Sequence, residues 1–178
     1  MKLAVTKTTD LSMTDIAGLD PLTVFLENFA PGRGGITIKC AGKSWSTGWG
    51  AMGGRTVEQF FVSCDDDYLI GCLSSIRPDI AVTDSDKLEP WLRGEIVKMR
   101  RAKDLKKDTA RDYWNDAACI VITSSWCSHS ELMEAVIGDD WWHFLPTVEN
   151  PEFTYLTRIV RTVREGLREY LFMATEPG

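Results

Sequence analysis

Apolar and polar residues alternate along the first third of the chain with the two-residue period of β-strands. Three such runs are rich in β-forming residues, and glycine-containing turn segments separate them. We therefore predict a three-stranded antiparallel sheet over residues 19–55, preceded by a loose lead-in over residues 1–18. The predicted strands are Leu22–Leu26, Ile36–Cys40 and Ser44–Trp49.

After residue 55 the apolar residues recur every three or four positions, which is the period of an amphipathic helix. Thr56 and Gln59 have the spacing of a capping box at a helix start, and so do Ser128 and Glu131. The second half of the chain is therefore predicted to be mainly helical. The predicted helices cover about residues 56–64, 68–73, 87–103, 107–117, 129–137 and 151–170.

Two details of the helical half depend on single residues. Asp86 is predicted to cap the long helix that follows it, because aspartate is a preferred N-cap residue. Residues 119–123 fit either a short strand or the end of the preceding helix.

A chain of 178 residues fits one domain. We predict a single α+β domain over residues 1–178, in which the small N-terminal sheet packs with the largely helical residues 56–178.

The last predicted helix carries the most regular apolar seam. Asn150 can cap this helix, and Pro151 occupies the first helical position, where proline is favoured. The seam can pack into the core of a monomer or against the same helix of a second, antiparallel copy. We expect a monomer, because flanking arginines would repel each other in a parallel pair. The seam is Leu156, Val160, Val163, Leu167 and Tyr170, and the arginines are Arg161, Arg164 and Arg168.

Composition narrows the classes of function. The formal net charge is −6, which argues against a nonspecific nucleic-acid binder. No apolar run is long enough to span a membrane, so we expect no membrane partner. The five cysteines form an odd set without an export signal, which predicts reduced thiols in the host-cell cytoplasm.

Charge is unevenly distributed in the second half. Residues 91–111 hold eight basic and three acidic side chains, whereas residues 112–157 hold eight acidic side chains and no lysine or arginine. This asymmetry predicts two electrostatically distinct faces. The arginines of the last helix are expected to pair with the acidic segment. Five bunched cations form either a solvated helix end or a contact for phosphates or an acidic protein. These cations are Arg100, Arg101, Lys103, Lys106 and Lys107.

A glycine-rich stretch at residues 48–54 follows the third predicted strand and matches no phosphate-binding motif. Its simplest interpretation is a tight bend, with Trp45 or Trp49 packed in the core. The alternative is an exposed aromatic loop that docks a partner, because tryptophan is a frequent interface anchor.

Three clusters contain reactive or metal-binding residue types, but none has the expected spacing. Cys127 and His129 are the residue types of a thiol dyad, yet residues so close in sequence rarely face each other. A zinc site would need both of them with Cys119 and His143, without a CxxC pair. The carboxylates of Asp65–Asp67 fan out, which favours a solvated helix terminus over a cation site. We predict no catalytic residue, metal or cofactor.

Distinctive words of the sequence occur together in a fixed order. With these words, the chain resembles a family of small accessory proteins carried by tailed phages and prophages of proteobacteria. The resemblance covers about residues 14–75 and 131–170 and implies a phage origin without supplying catalytic residues. The words are GLDPLTV (18–24), ITIKC (36–40), KSW (43–45), WGAMG (49–53), TVEQFF (56–61), GDDWW (138–142) and NPEFTYL (150–156).

We therefore expect a non-enzymatic phage or prophage accessory protein that binds a host or phage protein, with inhibition of a host defence as one outcome. The alternative is an accessory factor of phage DNA metabolism that contacts nucleic acid through residues 93–111. A hydrolase or thiol enzyme is disfavoured because no acid, base and nucleophile can be assembled. The candidate partner-binding residues are Trp45, Trp49, Arg100, Arg101, Lys106 and Lys107.

Overall fold

The computed structural model describes Leu3, residues 7–123 and residues 126–175. The chain forms two compact units, the first made of residues 1–78 with 151–178 and the second of residues 79–150. Each unit has its own cluster of buried apolar side chains. The α+β class is confirmed, with an N-terminal antiparallel sheet and a helical second half. That the chain is one domain stays a prediction.

The sheet of the first unit has four strands in the order β1-β2-β3-β4, not the predicted three. The additional strand lies in the segment predicted to be a loose lead-in, and it pairs from Thr9 opposite Leu26 to Met13 opposite Leu22. Only Leu11 and Met13 are apolar in this five-residue strand, so its own pattern is weak and its partner strand determines it. The bounds are β1 Thr9–Met13, β2 Leu22–Ala30, β3 Arg33–Cys40 and β4 Lys43–Trp49.

Three helices cover one face of this sheet, where Val24, Ile36 and Ile38 are buried. The predicted capping box is present at the first helix, where the Thr56 N–H donates to Gln59 Oε1 at 3.1 Å. These helices are α1 Val57–Ser63, α2 Asp66–Leu73 and α6 Pro151–Thr175.

The apolar seam of α6 lies in the core of the first unit. Its members Leu156, Val160, Val163 and Leu167 are fully buried, together with Ile159, whereas Tyr170 is only half-buried. α6 passes close to β1 at Gly166, where an added Cβ would meet the flexible end of the Met13 side chain.

Arg161 and Arg164 of α6 pair with Asp66 at the start of α2. This corrects the expectation that they pair with the acidic segment, residues 112–157. Arg161 Nε donates to Asp66 Oδ2 at 2.7 Å, and Arg164 Nη2 donates to the Cys64 carbonyl at 2.6 Å. Asp66 lies in the first turn of α2, where the free N–H groups and the positive end of the helix dipole stabilise a carboxylate. Asp66 is therefore a fixed partner for the arginines.

The second unit contains three helices and a two-stranded antiparallel sheet. The long helix begins one residue before the predicted cap, because Asp84 caps it and its carboxylate accepts from the Asp86 N–H at 3.1 Å. Asp86 lies inside the first turn instead. The elements are β5 Asp79–Ala81, α3 Ser85–Ala102, α4 Lys107–Asp116, α5 Ser130–Val136 and β6 Thr147–Glu149.

The segment between α4 and α5 was predicted to be a short strand or the end of the preceding helix, and neither prediction describes it fully. A short 3₁₀ helix covers Ala117–Cys119, and a single bridge joins Ile122 to Cys127. The capping box predicted at Ser128 is wrong, because His129 is the N-cap residue and makes no side-chain capping bond. Ser128 Oγ instead accepts from the Val121 N–H at 2.9 Å, so its hydroxyl holds the loop together.

Candidate partner-binding groove

α3 and α4 form a helical hairpin joined by a tight turn. Lys103 ends α3 in the left-handed conformation, with φ of 70°, and the Asp104 N–H donates to the Met99 carbonyl at 3.0 Å. Leu105 packs onto the core of the second unit, and Lys106 begins the next helix. The turn therefore fixes the last turns of α3 beside the first turns of α4.

A groove of about 430 Å³ runs between these two helices. Its apolar lining comes from both of them, and Ile96 at its base is also part of the core of the second unit. Four cations line it as well, two from each helix. The apolar residues are Ile96, Val97, Ala110 and Trp114, and the cations are Arg100, Arg101, Lys107 and Arg111.

Trp114 is the aromatic member of the groove, and 41% of its surface is exposed. The Arg93 guanidinium lies 4.7 Å from its ring centroid, and Arg93 Nε donates to the Trp114 carbonyl at 3.3 Å. Glu89 forms an ion pair with Arg93 from one turn earlier on α3. These contacts hold the indole in place while part of it remains open to solvent.

No ion pair within the described parts of the chain involves the four cations of the groove. The helix dipole accounts for Arg100 and Arg101, which lie in the last turn of α3. It does not account for Lys106 and Lys107, because cations at a helix N-terminus face the positive end of the dipole. The solvated helix end therefore explains only part of the basic cluster.

The structure brings together three of the predicted basic residues, Arg100, Arg101 and Lys107. Lys106 is the N-cap residue of α4 and does not line the groove. Sequence reasoning missed Arg111 and Trp114 as groove residues. Arg111 follows Lys107 by four residues, and Trp114 follows Arg111 by three, which is a helical spacing that places all three on one face of α4.

The two predicted tryptophans lie in the first unit, on strand β4. Trp45 and Trp49 are half-buried and pack against its apolar core. The Trp49 ring meets the Phe60 ring edge-on, with centroids 5.3 Å apart. This placement is the core-packing alternative of the sequence analysis, and more exposed rings occur elsewhere in the chain.

Residues in or beside the reactive-looking clusters make structural hydrogen bonds. A polar cavity of about 390 Å³ contains Ser128 and His129, but the Ser128 hydroxyl donates to the Cys119 carbonyl at 3.1 Å. Asp65 caps α2, accepting from the Tyr68 N–H at 2.8 Å. Over the described residues, no group of three or more His, Cys, Asp or Glu side chains is arranged to hold a metal ion.

Comparison with protein families places the chain. A family model described as a phage family, Phage_phiTE_072, matches residues 1–169. The chain belongs to this phage family. The match confirms the phage origin that the sequence words implied, and it does not specify the bacterial host group. No curated protein and no solved structure matches the chain. Within the described residues, no helix is long and apolar enough to cross a membrane.

Proposed function

We propose that this phage protein is a non-enzymatic binding protein that recognises a host or phage protein in the cytoplasm of the host cell. The α3–α4 groove is the binding surface. The observation that carries the proposal is its combination of an apolar lining with four cations that no carboxylate in the described residues neutralises.

The chemistry of the groove specifies its ligand. A channel between two helices accepts the apolar face of a third helix, with anchors at helical spacing. Acidic residues beside those anchors would meet Arg100, Arg101, Lys107 and Arg111. The partner segment is therefore an acidic amphipathic helix, and Trp114 at the groove is its aromatic anchor point.

The phage origin suggests what such binding achieves. A small phage protein that occupies a recognition helix of a host protein can block that protein without any catalysis. We propose inhibition of a host defence as the consequence of binding, by analogy with the roles of small phage accessory proteins.

We also propose that the protein acts as a monomer, because the α6 seam is buried within its own unit.

Nucleic acid is the second candidate ligand, and one observation favours it. Cations beside a partly exposed aromatic ring form the usual surface for single-stranded nucleic acid, in which a base stacks on the ring. Arg93 already lies over the Trp114 ring, and the other apolar residues of the groove are aliphatic. These two features favour the protein partner.

The test is capture from a bacterial lysate with immobilised protein, before and after nuclease treatment. The groove variant is Arg100→Glu/Lys107→Glu. The control variant is Lys39→Glu/Lys87→Glu, which makes the same change of net charge at exposed positions outside the groove. We expect a partner that survives nuclease, is lost with the groove variant and is retained by the control.

Salt provides the second measurement in the same experiment. Binding through apolar anchors weakens modestly with salt, whereas each phosphate contact adds to a steep logarithmic dependence. Capture that nuclease abolishes, with affinity falling about tenfold or more between 50 and 200 mM salt, would replace the protein partner with the nucleic-acid candidate. Equal capture by the groove variant and wild type would contradict both.

A further inference from the structure

A second group of exposed aromatic rings lies in the second unit, after α5. The 3₁₀ helix Trp141–His143 presents Trp142, which is 51% exposed, and the next residue, Phe144, is 63% exposed. Large apolar side chains at such exposure are unusual when they are close together, and they mark interaction surfaces more often than single exposed residues do. Neither ring belongs to the α3–α4 groove.

The turn that carries these rings is fixed at both ends. Trp141 before it and Leu145 after it pack against the core of the second unit. The Trp141 N–H donates to the Gly138 carbonyl at 3.1 Å, and the Phe144 N–H donates to the Trp141 carbonyl at 3.0 Å. Two residues packed on the core thus lie on either side of the exposed rings, and backbone hydrogen bonds hold the turn. Rings held in this way lose little conformational entropy on binding.

Two carboxylates directly precede the rings in the chain. Asp139 and Asp140 are exposed in the same turn, and residues 112–157 contain no lysine or arginine. Elsewhere, the chain places its own cations over its rings, with Lys39 4.8 Å from the Phe25 centroid and Arg55 5.0 Å from that of Phe60. No such contact occurs at the 141–144 turn in the part of the chain that the structure describes.

We propose that this turn is a second docking surface, which binds an arginine-rich segment of a partner protein. Guanidinium groups stack on tryptophan faces and pair with carboxylates, and the turn offers both. Phosphate-bearing ligands are excluded because Asp139 and Asp140 would repel them. The protein then has two surfaces of opposite preference, a basic groove for an acidic segment and an acidic aromatic turn for a basic segment.

The test uses a fluorescent peptide of alternating glycine and arginine, titrated against the full chain at near-physiological salt. The ring variant is Trp142→Ala/Phe144→Ala, which keeps every carboxylate. Phe29→Ala is the control, because Phe29 has the same 63% exposure as Phe144. We expect the ring variant to weaken binding by about tenfold or more, as loss of stacked guanidinium contacts implies, while the control stays within about twofold.

A second variant separates ring contacts from general attraction to an acidic chain. Asp139→Asn/Asp140→Asn should weaken peptide binding several-fold, and this loss should be larger at low salt. Unchanged binding in the ring variant, or no binding by wild type, would overturn the proposal. Concentration-dependent sedimentation that both the ring variant and Arg100→Glu abolish would also overturn it, because a second copy of the chain would then be the ligand. All variants lie on the surface, and thermal melts verify their folding.

Discussion

At the scale of single residues, Asp66 joins two segments that are far apart in the sequence. Burial raises the pKa of its carboxyl group, but the hydrogen bonds from Arg161 and Arg164, together with their positive charges, outweigh burial and lower the pKa from its ordinary value. A carboxyl with a lowered pKa in the folded state stabilises the protein above its unfolded-state pKa. This contribution disappears as the pH falls through the folded-state pKa.

Asp66→Asn should therefore lower the free energy of unfolding by about 1–2 kcal/mol at pH 7, because Arg164, with 13% of its side chain exposed, loses its charged partner. Urea unfolding at pH 7 and near pH 3 checks this, and the difference from wild type should shrink at the lower pH. Asp67→Asn is the matched control, since Asp67 is an exposed carboxylate in the same helical turn. An equal loss in both variants would assign the effect to the helix dipole.

At the scale of elements, α6 supplies more buried residues to the core of the first unit than any other single element. Leu167 is fully buried, so Leu167→Ala should lower the free energy of unfolding by about 2–5 kcal/mol through lost burial and the cavity that remains. Thermal melting checks this, with Met173→Ala, which is 66% exposed in wild type, as the control. A wild-type melting temperature that falls on dilution would contradict the proposed monomer, because the seam would then also serve association.

Lys107 lies in the first turn of α4, where a positive charge does not stabilise the helix. Lys107→Glu should leave the melting temperature unchanged or slightly higher, because an acidic residue in the first turn interacts favourably with the helix dipole. The same change should weaken capture of the groove partner. Melting and capture measured on one preparation check both halves. A fall in stability together with binding would indicate that Lys107 has a structural role.

The elements with strong periodicity were predictable from the sequence, and the others depend on distant partners. The α6 seam and strands β2, β3 and β4 follow directly from their apolar spacing. Strand β1 could not be predicted because its pairing with β2 determines it. Ser128 has the right spacing to cap α5, but a loop carbonyl and amide compete for its hydroxyl, and neither is visible in the local pattern.

At the scale of the whole molecule, the charge asymmetry was visible in the sequence, but the groove was not. Counting charges identifies Arg100, Arg101 and Lys107 as a cluster. Combining them with Arg111 and Trp114 requires the antiparallel hairpin of α3 and α4, whose turn depends on a lysine in the left-handed conformation. Exposed rings such as Trp142 are likewise indistinguishable in sequence from the anchoring Trp141 beside them.

Site-specific photo-crosslinking in bacteria that carry the phage tests whether the partner binds in the α3–α4 groove. A photoreactive phenylalanine analogue is placed at Val97 or Ala110, which line the groove, and at Thr23 or Glu134, which do not. We expect one discrete crosslinked protein from both groove positions and none from the other two. A crosslinked protein from Thr23 or Glu134, with none from Val97 and Ala110, would contradict it.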